Sequence, residues 1–388
     1  MKDAIEIGIK NNPDIQKSKY DIEAVKGRNL KDLSPAPLSL SLSNEFIPNG
    51  WGISNFDERT IEISQSFDFP TVYFSKNSRA NAEINAVNSA YELVTNNIRT
   101  FVKRAYYSAL EKQKLLKISN ENFDIANEFL KKAEIRYKVG EGSNLELLTA
   151  KAQLSEAKSL IASAKYEYHE ALNDLNYLLG YNSDIDFVNI NFRDSLSYNK
   201  LSLSLEELTS KSIQTNPYLK KASYELESSE ISKQIAWMNI IPSFNVAYMF
   251  QTRTGVSNYY GVRLGISAPL WFMFDQKGTI QEANANYQMS YYELQCIKNT
   301  IIQKINSSFI DYINDEKQFT LYQNELVPQA EEIFKTADLS YQAGEVTYLE
   351  FLQAKFTTIN SKTNLIKMLY EYKIAIVNLE ESTGLILE

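Results

Sequence analysis

The chain contains the same fifteen-residue passage twice. Tyr137–Lys151 (YKVGEGSNLELLTAK) returns 204 residues later as Tyr341–Lys355 (YQAGEVTYLEFLQAK), with eight identical positions. Asn12-Pro13 returns at the same offset as Asn216-Pro217, and Gly180 as Gly384. A chain of 388 residues would ordinarily suggest two or three domains. A repeat covering both halves instead predicts two versions of one design within a single body. The first version spans residues 1–200 and the second residues 201–388.

Each version reads in the same order. A helical pattern occupies about 3–33, with Ile5, Ile9, Ile15, Ile22 and Val25 on one face and a restart at Asn12-Pro13, because a residue before proline avoids helical angles. Ser34-Pro35-Ala36-Pro37 then ends it. Residues 37–47 alternate, with Leu38, Leu40, Leu42 and Phe46 on one parity and Ser39, Ser41, Ser43 and Glu45 on the other. This period of two predicts a strand. Pro48 to Asp57 reads as a hairpin loop, and 59–69 alternates again, with Gln65 the exception on the apolar side. From Lys76 to Val139 no glycine or proline intervenes. That stretch predicts one helix of roughly 95 Å, with Ala82, Ala86, Ala90, Leu93, Phe101, Tyr107 and Leu110 along its packed face. Gly140-Glu141-Gly142 reverses the chain, and a second helix runs over 143–179. The second version repeats this with a helix over 205–238, strands over 242–251 and 258–268, a helix over 275–343 kinked at Pro328, and a last helix over 346–383.

Composition removes several functions. The net charge of −8 argues against nucleic acid, since phosphate binding needs a basic face. One cysteine, Cys296, excludes an intrachain disulfide and reads as a helix-packing residue. One histidine, His169, reads as a helix-surface residue and makes a histidine-based metal centre or acid–base site improbable. There is no phosphate loop, nucleophile elbow or paired-acid site. The chain reads as a non-enzyme without cofactor or metal. No apolar run approaches the roughly 18 residues of a membrane-spanning helix.

The strands point to a membrane in another way. Each has the nine to eleven residues that cross a bilayer when tilted. Their alternation leaves one apolar face and one polar face, the latter with Glu62, Asp68 and Arg263 as expected lumen residues. Trp51, Phe56, Tyr259, Tyr260, Trp271 and Phe272 cluster at strand ends, where an aromatic girdle would lie. Four strands cannot close a barrel, and open edges in lipid leave backbone groups unpaired. Strands must therefore be shared between copies: two copies give eight, and three give twelve with a lumen. The rival reading is a soluble coiled-coil scaffold, which does not explain the alternating pairs at equal places in both halves.

Over about residues 3–385 the chain resembles the TolC-type outer-membrane efflux protein family. The tandem repeat, the element order, the paired Asn-Pro and the Tyr-x-x-Gly turns carry the resemblance. It implies an α+β membrane protein: a homotrimer with one 12-stranded β-barrel, four strands per chain, continued by a long α-helical coiled-coil barrel in the periplasm. It implies passive conduction through the outer membrane from an inner-membrane pump by way of a periplasmic adaptor, and a signal peptide removed from the mature chain. The adaptor would meet Val139, Gly140, Glu141 and Gly142, and Ala343, Gly344, Glu345 and Val346. In the family a tyrosine–aspartate contact and an arginine–threonine contact hold the entrance closed near these turns, and acidic rings line it. Tyr341 and Glu146 match the first contact, with Glu for Asp. Glu350 matches a ring position, whereas Gln353 replaces the second acid. Leu145 and Val346 stand where the arginine–threonine contact would fall. The cargo stays open among metal cations, drugs and polypeptides.

Overall fold

The computed structural model describes residues 1–47, 56–181, 192, 195–201, 204–256, 258–268 and 274–387. Trp51, Trp271, Phe272 and most of the first hairpin loop therefore lie outside the described residues. Helices α1 (Lys2–Asn11) and α2 (Pro13–Asp32) precede strands β1 (Ser39–Glu45) and β2 (Glu58–Phe67). Helices α3 (Pro70–Lys138) and α4 (Asn144–Leu178) complete the first version. The second comprises α5 (Leu205–Thr215), α6 (Pro217–Met238), β3 (Ser243–Arg253), β4 (Tyr259–Ser267), α7 (Asp275–Leu321), α8 (Val327–Ala343) and α9 (Tyr348–Thr383). The fold is α+β, with two tandem structural repeats and one sheet.

Contacts divide the chain into two compact units that cut across the repeats. One holds Met1–Lys17, Glu92–Asn216 and Asn299–Glu388, and the other Ser18–Tyr91 and Pro217–Lys298. Each unit thus takes corresponding pieces from both versions.

In the second unit the four strands form one antiparallel sheet in the order β1-β2-β3-β4. Leu42 opposes Ile61, Ile61 opposes Phe250, and Phe250 opposes Tyr260, so four apolar residues line up in one row across the sheet. The next rows join Leu40, Ile63, Tyr248 and Val262, and then Gln65, Val246 and Leu264. Gln65 keeps its place on the apolar face by donating from its amide to the Ala36 carbonyl.

The helix bounds differ from expectation in instructive places. α3 begins at Pro70, six residues early, because proline suits a first helical position and its missing N–H is unneeded there. Its buried face runs through Ile98, Val102 and Tyr106, so Phe101, expected on that face, is exposed. Cys296 is likewise exposed: the packed face of α7 runs through Ile297, Ile301 and Ile305, one residue out of phase. The helical span 275–343 is interrupted by a π-helical turn at Tyr322–Leu326. Pro328 has no N–H to offer the preceding turn, and the chain widens so that Val327 N–H reaches the Tyr322 carbonyl.

In the first unit a lysine and a glutamate share the core. Lys103 Nζ lies 2.6 Å from Glu380 Oε2, with side chains 2% and 3% exposed. Glu380 also accepts from the Leu387 N–H at 2.7 Å. This satisfaction is what such a buried pair requires. Gly8 is buried against the same region: a Cβ there would meet Val102 Cγ2 at 2.9 Å.

Candidate functional site

Two surfaces carry chemistry, the sheet and the pair of helix-reversing turns. On the sheet, the apolar residues stay bare. Exposure runs from 38% at Ile61 to 77% at Leu264. Leu40, Leu42, Val246, Tyr248, Tyr260, Val262 and Ile266 lie in the same range. A contiguous apolar face of this size is not left to water. The opposite face carries Ser39, Ser41, Ser43, Thr60, Glu62, Ser64, Asn245, Gln251 and Arg263, brought together by the same register. Arg263 Nη1 donates to Glu62 Oε2 at 2.9 Å, from β4 across β3 to β2. Two of the expected lumen residues are therefore one ion pair. Asp68 falls just beyond β2 and is bonded to Lys76 of α3 at 2.8 Å. Within the chain the outer edges of β1 and β4 have no strand partner among the described residues.

The turns are built by local rules. At the first, Gly140 takes φ +81°, and the N–H groups of Glu141 and Gly142 both donate to the Arg136 carbonyl at 3.0 Å. At the second, Gly344 takes φ +77° and Glu345 N–H donates to the Ser340 carbonyl at 2.8 Å. A left-handed residue closing a helix in this way is the normal use of glycine. Ser143 then caps α4, its hydroxyl accepting from Glu146 N–H at 3.1 Å. Thr347 caps α9, accepting from Glu350 N–H at 3.3 Å. Val139, Glu141, Ala343 and Glu345 are exposed, whereas Gly142 and Val346 are half-buried.

The two hairpins meet in an aromatic cluster. Phe129, Ala133, Ala150, Tyr341 and Phe351 are buried together, with Leu130, Phe334, Val346 and Tyr348 packed around them. Phe129 stacks on Tyr348 at 4.6 Å and on Phe351 at 5.4 Å between centroids. Tyr341 donates its hydroxyl to Glu146 across the hairpins, which brings this expected pair together. Burial, reinforced by that carboxylate, holds the Tyr341 phenol well above its ordinary range. Burial and the same carboxylate push Tyr348 up to about 12.

Glu350 is used differently from Glu146. Its Oε2 accepts from Thr347 N–H at 2.7 Å and from the Thr347 hydroxyl at 2.9 Å, a reciprocal capping box. These bonds hold its carboxyl below the usual range. Gln353 is exposed, and its backbone carbonyl accepts from Thr357 at 2.9 Å. The sequence reading missed Arg136. Its Nε lies 3.9 Å from Glu146 Oε1, and its guanidinium sits 5.3 Å from the Tyr341 ring centre.

Among the described residues no helix is long and apolar enough to cross a membrane, and no group of ligating side chains suits a metal ion. The sheet, bare and apolar on one side and polar on the other, defines the class: a protein that presents an apolar face to its surroundings through β-strands. The chain belongs to the outer membrane efflux protein family, which it matches over residues 51–181 and 208–385, one segment in each repeat. It is 23% identical over 316 residues to the cobalt-zinc-cadmium resistance protein CzcC of Cupriavidus metallidurans, covering 79% of this chain and 74% of that one. Its fold is similar to that of the outer-membrane channel OprN, with a TM-score of 0.83 and 15% identity over 99% of this chain and 89% of that one. CusC, whose structures concern transmembrane channel formation, gives a TM-score of 0.83 and 19% identity over 98% of this chain and 91% of that one. The protein is accordingly an efflux component of the outer membrane.

Proposed function

We propose that three copies of this chain join edge to edge into a 12-stranded barrel and form a passive conduit. Substrate would reach it from an inner-membrane pump through a periplasmic adaptor that meets the exposed turns, and the chain would perform no chemistry. The observation that carries this reading is the sheet itself. Its apolar face is bare, and neither outer edge has a strand partner among the described residues. In hydrocarbon each unpaired edge group costs several kcal/mol, so β1 of one copy must pair with β4 of the next. Three copies leave a lumen lined by the polar face, whereas two would give a barrel filled by its side chains. Glu62 and Arg263 would then face the lumen. Asp68, tied to α3, would stand at its rim.

Chemical cross-linking in membranes and single-channel conductance in planar bilayers test this. Trimers with conductance are expected. A folded monomer, stable in water without detergent, would overturn it. The turns are tested by Gly140→Phe and Gly344→Phe, which should abolish efflux in cells while trimers still assemble. Loss of the trimer would show instead that these glycines serve folding.

Among the open cargo classes we favour metal cations, on the strength of the similarity to a cobalt-zinc-cadmium resistance protein. Deleting the gene should then sensitise cells to divalent cations more than to hydrophobic drugs.

A further inference from the structure

The helices that lead to the turns lose their core partway along. No side chain is buried over 112–121 of α3, 158–170 of α4, 320–329 across the α7–α8 junction or 359–368 of α9. On the turn side of this waist lies the aromatic cluster of Phe129, Tyr341 and Phe351. On its other side lies a second aromatic cluster, in which Tyr198 sits 5.2 Å from both Phe319 and Tyr372 between ring centres. We propose that the waist is a hinge in one half of the repeat only. The second hairpin bends at the π-turn, and the connector 195–201 is a strap that stops the bend from travelling further. Its use, to let the second turn leave the first, rests on the conduit reading; the bend itself does not.

The two halves differ at the waist in backbone rather than in burial. α3 passes through 116–125 as regular helix, whereas its counterpart holds the π-turn Tyr322–Leu326, none of whose residues is buried. Such a turn spends an extra residue and is a place where long helices kink. α9 faces it with Asn360-Ser361-Lys362-Thr363-Asn364, and Asn364 Nδ2 donates to the Tyr322 hydroxyl at 3.5 Å. Asn, Ser and Thr are weak helix formers, whereas the counterparts Glu156-Ala157-Lys158-Ser159-Leu160 are strong ones apart from the serine. Both helices of the second hairpin are thus soft at one level, and neither helix of the first is. They bend as a pair, because the buried Thr358 hydroxyl donates to the Ala330 carbonyl at 2.7 Å on the turn side of the waist.

The strap is bound to three helices at once. Lys114 Nζ of α3 donates to the Leu196 carbonyl at 2.9 Å. Tyr198 donates its hydroxyl to Glu316 of α7 at 2.7 Å, and Leu201 N–H donates to the Tyr312 hydroxyl at 3.3 Å. Tyr372 of α9 donates its hydroxyl to the Asn199 carbonyl at 2.7 Å. Leu196, Tyr312, Phe319 and Tyr372 are all buried. Phe319 is the last buried residue of α7 and lies just before the π-turn. The strap therefore ends where the hinge begins.

The test is amide hydrogen exchange on the full-length assembled protein, read by mass spectrometry. In the wild type, 320–329 and 359–364 should exchange about tenfold or more faster than their counterparts 116–125 and 155–160, since few buried contacts and a soft backbone coincide there. Deleting Asn324 together with P328D removes the extra residue and restores the first half's residue type at 328. This should slow 320–329 to the pace of 116–125. Y198A should let fast exchange spread into 312–319 and 369–376, and Y198F, which keeps the ring and loses only the bond to Glu316, should do so less. Equal exchange in the two halves of the wild type overturns the hinge, and 312–319 unmoved in Y198A overturns the strap. Should the deletion prevent assembly, the wild-type comparison and the Tyr198 variants decide both parts alone. The regularised variant should form trimers yet lose efflux in cells. If it still exports, the use of the bend in opening falls. If no wild-type preparation conducts, the conduit reading fails and the bend is judged by exchange alone.

Discussion

The first and second turns share a backbone and differ in what they do with it. Gly140 and Gly344 have nearly the same φ, Ser143 and Thr347 cap the following helices, and Glu146 and Glu350 occupy equivalent places. Yet Glu350 turns back to its own cap, while Glu146 reaches to the other hairpin. Tyr341 is 5% exposed in the aromatic cluster, and its counterpart Tyr137 is 46% exposed. The lesson is that a duplicated frame was kept for folding and its side chains were divided. The second turn supplies ring and core, and the first supplies the carboxylate that the ring's hydroxyl bonds.

The sharpest break of that division is at the tyrosines. Tyr341→Ala should loosen the hairpin pair by about 3–5 kcal/mol, as for other large buried rings. Tyr137→Ala should stay within about 0.5 kcal/mol, like other surface changes. Hydrogen exchange of amides in 129–151 and 330–358 reads both, and equal effects would erase the asymmetry. Next come the shared features, which should respond alike. Gly140→Ala and Gly344→Ala should each cost about 1–2 kcal/mol, the strain of a left-handed residue bearing a Cβ. No atom stands within 4 Å of either Cβ, so no clash adds to it. Helix protection after each turn, measured by exchange, should fall equally.

Caps come third. Thr347→Ala and Ser143→Ala should cost about 1 kcal/mol each. Glu350→Gln should weaken only α9, whereas Glu146→Gln should free Tyr341 and Tyr348 as well, visible as a lowered phenol titration range.

The smallest and most specific difference is in pH. The phenols of Tyr341 and Tyr348 are raised in the folded chain. A raised phenol contributes stability below its unfolded value of about 10, which is lost as pH climbs toward the folded value. The hairpin pair should therefore loosen from about pH 10 upward, and Y341F/Y348F should abolish most of that alkaline loss. Glu350 is lowered, so its cap is intact above the ordinary carboxylate range and weakens as pH falls through it. Exchange at the start of α9 at low pH is the check. Absence of this acid response would mean the capping box adds nothing in solution.

The interruption of the second long helix is a further contrast. α3 runs unbroken for 69 residues, and its counterpart widens into a π-turn that begins at Tyr322, the equivalent of Ile118. Proline stands at 328, against Asp124 in the first version, and has no N–H to close the preceding turn.

Much of this was written in the chain itself. Alternation by twos marked the strands because each face meets one medium. Glycine at 140 and 344 marked the turns because only a residue without Cβ takes that backbone freely. Thr347-x-x-Glu350 also carried a capping-box signature, and assigning Glu350 to an acidic ring passed over that local use.

Local backbone chemistry and hydrophobic periodicity thus determined the strands, the helix reversals and the doubled plan. Tertiary structure alone decided which row of one strand faces which row of the next, and which of two equivalent glutamates bonds a tyrosine. The reason is physical: spacing along a helix or strand records a residue's own face, whereas register and side-chain pairing depend on elements as far as 201 residues away, whose approach is set by packing rather than by neighbours in sequence.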